Sequence, residues 1–204
     1  MIDIGALLKA FIFLISSSLL YPVLFLLVVL TFLIIIYAGA FFSEWIERLR
    51  LSKCPAGELP ALMKTGELSS VVSHRVKSYV KDLHAILKEG RPDAEVAVES
   101  LLQETTFRLW KSMDRLRILV RAAPSLGLIG TLIPMGTGLA ALGQGDMTKL
   151  STDLVIAFTT TVTGLAIGTA AFFSYTVRRR WIEEDVRAME LATEMAVDRR
   201  EGES

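Results

Sequence analysis

The residues best suited to chemistry in this sequence are hydroxyls within two long apolar segments, 119–142 and 154–177. No Asp, Glu, Lys, Arg or His lies between Arg121 and Asp146, or between Asp153 and Arg178. Hydroxyls donate and accept hydrogen bonds but do not titrate near neutral pH. Any ion that crosses here would therefore need a charged group from another chain. The hydroxyl-bearing residues include Thr131, Thr137, Thr159, Thr160, Thr161, Thr163, Thr169 and Ser174.

These hydroxyls have two interpretations. Threonine in an apolar helix often bonds the carbonyl one turn earlier, and small residues such as Gly164 and Gly168 let helices pack closely. Two features argue against packing alone. The sequence TTTVT at 159–163 distributes hydroxyls around the whole helix, and Pro134 frees a backbone carbonyl that needs a polar partner. Helix packing and a water-lined path both stay open at this point.

The composition indicates a membrane protein. Of 204 residues, 52% are hydrophobic, and the mean hydropathy of +0.48 exceeds that of typical soluble domains. A net charge of zero gives no electrostatic basis for nucleic-acid binding. Cys54 is the single cysteine, which excludes an internal disulfide and a cysteine metal cluster. His74 and His84 fall on nearly opposite faces of a predicted helix, so no metal site is expected.

The lengths of the apolar blocks predict an all-α polytopic membrane protein with three transmembrane helices. The first block, Ile4 to Phe42, is longer than one crossing requires. We therefore divide it into an N-terminal interfacial helix, 1–18, and a first transmembrane helix, 19–44. The remaining parts are a cytoplasmic helical insert (45–118), a transmembrane hairpin joined by the ten-residue polar turn GQGDMTKLST (119–177), and a cytoplasmic C-terminal helix (178–204).

Helical periodicity continues outside the spans. One helix of the insert is predicted to end near Lys88, with an apolar face at Leu68, Val72, Val76, Tyr79, Leu83 and Ile86. A second helix starts at Pro92-Asp93 and runs on into the second span, because no helix breaker precedes Pro124. Its apolar face comprises Val98, Leu102, Leu109, Met113, Leu116 and Val120. The tail from Trp181 similarly extends the third span.

The distribution of basic residues predicts the orientation. The N-terminal arm and the short turn carry only Lys9 and Lys149. Because basic residues concentrate on the cytoplasmic side, the N-terminus is expected outside and the C-terminus in the cytoplasm. The basic residues that flank the spans on the predicted cytoplasmic side are Arg48, Arg50, Lys53, Arg108, Lys111, Arg115, Arg117, Arg121, Arg178, Arg179 and Arg180.

The sequence offers no arrangement typical of an enzyme. It contains no nucleophile–base pair, phosphate-binding loop or carboxylate pair in a suitable pattern, so no catalytic activity and no cofactor are expected. A solute transporter is not favoured, because three spans without internal repeats or charged sites offer little to bind a solute.

Two motifs, APSLGLIGT at 123–131 and TVTGL at 161–165, resemble the MotA/TolQ/ExbB proton-channel family. The three-span layout is similar to its ExbB/TolQ-like branch. The resemblance implies a homopentamer in the plasma (inner) membrane, whose second and third spans line a pore. It also implies a single-span ExbD/TolR/MotB-like partner, which carries a membrane aspartate, in that pore. Protons or sodium ions would then drive rotation of ring and partner relative to one another.

The same resemblance assigns roles to residues. Pro124 and Gly127 match the start of the second span, and Thr131 and Thr161 match the pore threonines. Our predicted ion pathway is Thr131, Thr160, Thr161 and Thr163. Our predicted structural residues of the pore helices are Pro124, Gly127, Gly130, Pro134, Gly164 and Gly168. The glycines are expected to let neighbouring helices of the ring approach, and the prolines to bend the pore-lining helix.

The resemblance is incomplete at three positions. Ile156 stands where ExbB-type relatives have a glutamate, Ala170 where they have a proline, and Pro134 where they have a glycine. The replaced glutamate keeps an alternative open, in which the chain is a non-conducting oligomeric membrane scaffold.

Overall fold

The computed structural model describes residues 4–50, 73–88 and 94–201. These residues form four helices: α1 (Ile4–Arg50), α2 (His74–Lys88), α3 (Ala94–Leu142) and α4 (Met147–Glu201). No strand occurs in these ranges, and α1, α3 and α4 are long and apolar enough to cross a membrane. The predicted all-α fold with three membrane helices is confirmed. The predictions for Cys54, Leu68, Val72 and Pro92 lie outside the described residues.

Helix α1 is continuous over 47 residues, with Pro22 inside it. The division that we placed after residue 18 therefore does not coincide with a helix end. The serine cluster before it is compatible with a helix, because the Ser18 hydroxyl donates to the carbonyl of Leu14 at 2.9 Å. The location of residues 1–18 at the membrane surface stays a prediction.

The turn between α3 and α4 is shorter than predicted. It spans residues 143–146, and Gly145 has a φ of 80°, a conformation that glycine adopts without strain. Asp146 caps α4 by accepting a hydrogen bond from the Lys149 amide at 2.9 Å. The prediction of a ten-residue turn was wrong because polar residues there are helical. The Thr152 hydroxyl, for example, bonds the carbonyl of Thr148 at 3.0 Å.

The predicted extensions of the second and third spans are confirmed. Helix α3 covers 49 residues and continues through Pro124 and Pro134, and α4 covers 55 residues. The described members of the predicted apolar faces include several buried side chains: Val76, Tyr79, Leu83, Val98, Met113 and Leu116.

The chain divides into two compact units, which we call the apolar unit (1–38 and 115–174) and the polar unit (39–114 and 175–204). The boundaries between these units fall at 38/39, 114/115 and 174/175. From the sequence we placed the boundaries between membrane and cytoplasm at 44/45, 118/119 and 177/178. The core of the apolar unit joins α1, α3 and α4, with buried side chains at Ile34, Leu119, Ala123, Ile167 and Ala171. The core of the polar unit joins α2, α3 and α4, with buried side chains at Val76, Tyr79, Leu83, Val98, Met189 and Ala192.

In the apolar unit, α3 and α4 touch backbone to backbone at two glycines. A Cβ atom added to Gly164 would lie 2.6 Å from the carbonyl oxygen of Ala123 and 2.8 Å from Cα of Gly127. A Cβ atom on Gly127 would lie 3.0 Å from the carbonyl oxygen of Thr160. We expected the glycines to serve contacts between ring neighbours, but these two serve a contact inside one chain.

In the polar unit, a buried carboxylate from α1 binds two guanidinium groups. Glu44 accepts from Arg75 at 2.8 Å and from Arg178 at 2.9 Å. All three side chains are mostly shielded from solvent. The pairs connect α1 to α2 and to α4 within this unit.

A second buried carboxylate, Asp185, accepts from Arg48 at 2.6 Å and from the Ser73 hydroxyl at 2.9 Å. Burial raises the pKa of Asp185 above its ordinary value, although Arg48 and Ser73 act in the opposite direction. The partners therefore do not fully replace the lost hydration. Such a pair adds little net stability, but removal of one partner leaves a buried charge uncompensated.

Replacement of Asp185 by alanine is expected to destabilise the protein strongly, by about 3–5 kcal/mol for a broken buried pair. Glu183→Ala is the matched control, because Glu183 forms an exposed pair with Arg179 on the same helix. Such an exposed pair contributes only about 0.3–0.5 kcal/mol. Thermal unfolding of the detergent-solubilised protein compares the two variants. Equal midpoints would show that the buried network is not a stabilising element.

Alanine at Gly164 is expected to lower the unfolding temperature, because its Cβ would meet backbone atoms of α3 on two sides. Gly136→Ala is the control, since a Cβ atom at Gly136 in the same chain has no neighbour within 4 Å. In open helical positions alanine is more favourable than glycine by about 1 kcal/mol. Opposite signs for the two variants are therefore expected. A stabilising effect of Gly164→Ala would contradict the close contact.

Candidate functional site

The candidate site lies where α3 and α4 face one another within the apolar unit. The close glycine contact brings hydroxyls of both helices together. The hydroxyl of Thr131 on α3 is hydrogen-bonded to that of Thr161 on α4. Thr131 also lies 2.9 Å from the carbonyl oxygen of Gly127 and 3.2 Å from that of Ala157. Both threonines are partly buried. The two residues matched to the family's pore threonines thus form one hydroxyl pair.

Thr160 points into the helix contact. The residue is only 5% exposed, and its hydroxyl lies 3.0 Å and 2.9 Å from the carbonyl oxygens of Ile156 and Ala157. A Cβ atom on Gly130 would lie 2.8 Å from that of Thr160. Thr160 therefore has the contacts of a packing residue, and its part in an ion pathway stays a prediction.

The other hydroxyls of TTTVT point in further directions. Thr159 is exposed and bonds the carbonyl of Val155 at 2.7 Å. Thr163 is partly exposed. The four threonines of this stretch thus range from buried to exposed, and a distribution of hydroxyls around the whole helix stays a prediction. Most of them also bond the carbonyl one turn earlier, as the packing interpretation expected.

The predicted structural residues of the hairpin line its contact face. The ring of Pro124 packs on Gly168, where an added Cβ atom would lie 2.6 Å from Cγ of the proline. Pro134 is almost completely buried. Together with Gly127, Gly130 and Gly164, these residues allow α3 and α4 to approach. Helix α3 continues through both prolines.

One acidic residue of the hairpin was overlooked as a site by the sequence analysis. The Asp153 carboxylate accepts a hydrogen bond from the Thr137 hydroxyl on α3 at 2.7 Å. The sequence analysis treated Asp153 only as the edge of the third span. The sequence did hold one indication of a site. Asp153 is an acidic residue about one helical turn before Ile156, the position at which ExbB-type relatives have a glutamate.

The described residues contain no group of three or more His, Cys, Asp and Glu side chains that could hold a metal ion. His74 lies 3.1 Å from Glu47, and His84 is exposed. The site is therefore built from hydroxyls, backbone carbonyls and one carboxylate. Such groups can pass hydrogen bonds along the hairpin, and the carboxylate is the one acidic group among them.

Comparison with known proteins identifies relatives of this chain. Residues 68–191 match the model of the MotA/TolQ/ExbB proton channel family. A putative biopolymer transport protein, an ExbB homolog of Methanothermobacter thermautotrophicus, is 28% identical over 140 residues. That alignment covers 68% of this chain and 49% of the relative, so the chain spans about half the length of the relative. No solved structure matched the chain significantly. The family match covers more than half of the sequence and includes both hydroxyl-bearing spans, and the chain belongs to the MotA/TolQ/ExbB proton channel family.

Proposed function

We propose that the chain is a subunit of a membrane motor driven by the ion-motive force. In this proposal a homopentamer surrounds a single-span ExbD/TolR/MotB-like partner, and together they form a proton channel that couples ion flow to mechanical work. The hydroxyl pair Thr131–Thr161 is the observation that carries the proposal. It joins two apolar helices at the positions that the family motifs predict.

The chemistry of the pair explains why a partner is needed. Hydroxyls can relay a hydrogen bond, but they do not hold a charge near neutral pH. Around the pair, from Leu154 to Val177 on α4 and from Ala122 to Gly145 on α3 and the turn, the sequence has no Asp, Glu, Lys, Arg or His. A carboxylate on the partner would supply the group that takes up and releases the proton beside Thr131 and Thr161.

The proposed orientation follows from charge. The ends of the spans that join the polar unit carry most of the flanking arginines and lysines, so we assign that unit to the cytoplasm and the turn at 143–146 to the outside. The N-terminus would then lie outside and the C-terminus inside the plasma membrane. The polar unit would be a non-enzymatic helical extension of the ring.

A second function, a non-conducting oligomeric scaffold, is favoured by two observations. Ile156 replaces the glutamate of ExbB-type relatives. The hydroxyls of Thr160 and Thr161 also lie within hydrogen-bond distance of carbonyls of their own helix. A scaffold would keep the ring and lose the ion path, so flux separates the two functions.

Valine at Thr131 and at Thr161 is expected to abolish partner-dependent proton flux. Valine keeps the shape of the side chain and removes the hydroxyl, which is the only group that could relay a proton there. Flux is measured by acidification of proteoliposomes that contain the chain co-purified with its single-span partner. Thr159→Val is the matched control, because the Thr159 hydroxyl is exposed and bonds only the carbonyl of its own helix at 2.7 Å in the described structure. Flux that survives in both pair variants would refute the pore assignment.

A further inference from the structure

The Asp153 side chain lies between α3 and α4 close to the turn. Its carboxylate oxygen Oδ2 lies 2.7 Å from the Thr137 hydroxyl. Its Cβ atom lies against Gly138, where an added Cβ atom would be only 3.2 Å away. The lack of a side chain at Gly138 therefore leaves space for the Asp153 side chain. The side chain is partly buried.

The same contacts can satisfy both charge states of this carboxyl group. The Thr137 hydroxyl oxygen lies 2.7 Å from Asp153 Oδ2 and 3.0 Å from the carbonyl oxygen of Pro134. When Asp153 is ionised, the hydroxyl donates its hydrogen to the carboxylate. When Asp153 is protonated, its O–H donates to the Thr137 oxygen, and the Thr137 hydrogen rotates to the Pro134 carbonyl. A proton can therefore be taken up or released without movement of the heavier atoms.

The helices of the apolar unit carry few charged side chains near the level of Asp153. Helix α3 has none between Arg121 and its end at Leu142, and α1 has none from Ala10 to Ala38. On α4 the nearest are Lys149, one turn earlier, and Asp146 in the turn, both exposed. No ion pair between Asp153 and Lys149 occurs in the described part of the chain. Between residues 122 and 177, all of which the structure describes, only Asp146, Lys149 and Asp153 carry an acidic or basic side chain, and of these three Asp153 alone is partly buried.

Asp153 lies on α4 between the turn and Thr161, so a proton that it releases could move towards the hydroxyl pair. Asp153 precedes Thr161 by eight residues, about 12 Å along a helix that rises ~1.5 Å per residue. Residues 153, 157, 160 and 164 recur at helical spacing, which puts Asp153 on the face of α4 that contacts α3.

We propose that Asp153 is a proton-binding site at the outer end of the hairpin, which takes protons from the outer aqueous phase and releases them towards Thr131 and Thr161. The direction of release rests on the proposed channel function. One proton from water of the outer phase binds carboxylate oxygen Oδ2, and the same oxygen later loses one proton towards the hydroxyl pair, where the partner's carboxylate accepts it. Asp153 thereby provides an acid one helical turn from Ile156.

Asp153→Asn tests this site in the complex with the single-span partner. The asparagine oxygen still accepts the Thr137 hydrogen bond, so the hairpin is kept while proton binding is lost. We expect proton flux in sodium-free proteoliposomes to fall at least tenfold, because a positioned proton-transfer group contributes roughly 10²–10⁴-fold in acid–base catalysis. Asp153→Glu is expected to keep most of the flux. Asp146→Asn, the matched control in the turn, is expected to leave flux unchanged.

Wild-type flux in Asp153→Asn would overturn the inference and leave the channel function intact. If the wild-type complex conducts no protons, the channel function fails, and infrared difference spectra after a pH step then decide on the site alone. A protonated-carboxyl band that is present in the wild type and absent in Asp153→Asn supports proton binding at Asp153. Identical spectra of the two proteins would overturn it.

Discussion

The contact between Gly127 and Gly164 determines the arrangement of the hairpin. An added Cβ atom at Gly164 would lie 2.6 Å from the backbone of α3, so only glycine permits this separation of the two helices. At that separation the hydroxyls of Thr131 and Thr161 meet, Gly130 accommodates Thr160, and Pro124 packs on Gly168. Membrane helices gain no hydrophobic driving force from lipid, and close packing of small residues is the way in which they associate.

Charge is distributed in the opposite way in the two units. The polar unit buries Glu44 and Asp185, each beside arginine partners, because a buried carboxylate is tolerated only when it is paired. The hairpin of the apolar unit instead uses hydroxyls, with Asp153 as its one acid at the contact face. In the proposed channel, the acid at the middle of the membrane would therefore have to come from the partner.

The helical spacing of apolar residues and the positions of helix-breaking residues predicted much of this structure. The apolar spacing of Val76, Tyr79 and Leu83 indicated a buried helix face, and the lack of a breaker before Pro124 indicated that α3 is continuous. The turn was misjudged, because polarity alone does not distinguish a loop from a helix whose hydroxyls, such as that of Thr152, bond their own backbone. Asp153 was missed for a different reason. Asp153 contacts Gly138 and Thr137 of another helix. The periodicity of a sequence does not show which residues of two helices meet across a hairpin.

In the proposed motor, copies of this hairpin enclose a membrane segment of the partner. Native mass spectrometry of the chain co-expressed and purified with a single-span partner tests it most directly, because the mass counts both kinds of chain. We expect five copies of this chain in a complex that also contains the partner, because the proposed ring is a homopentamer around the partner's span. A monomer, a dimer or a ring without the partner would contradict the account and favour the scaffold.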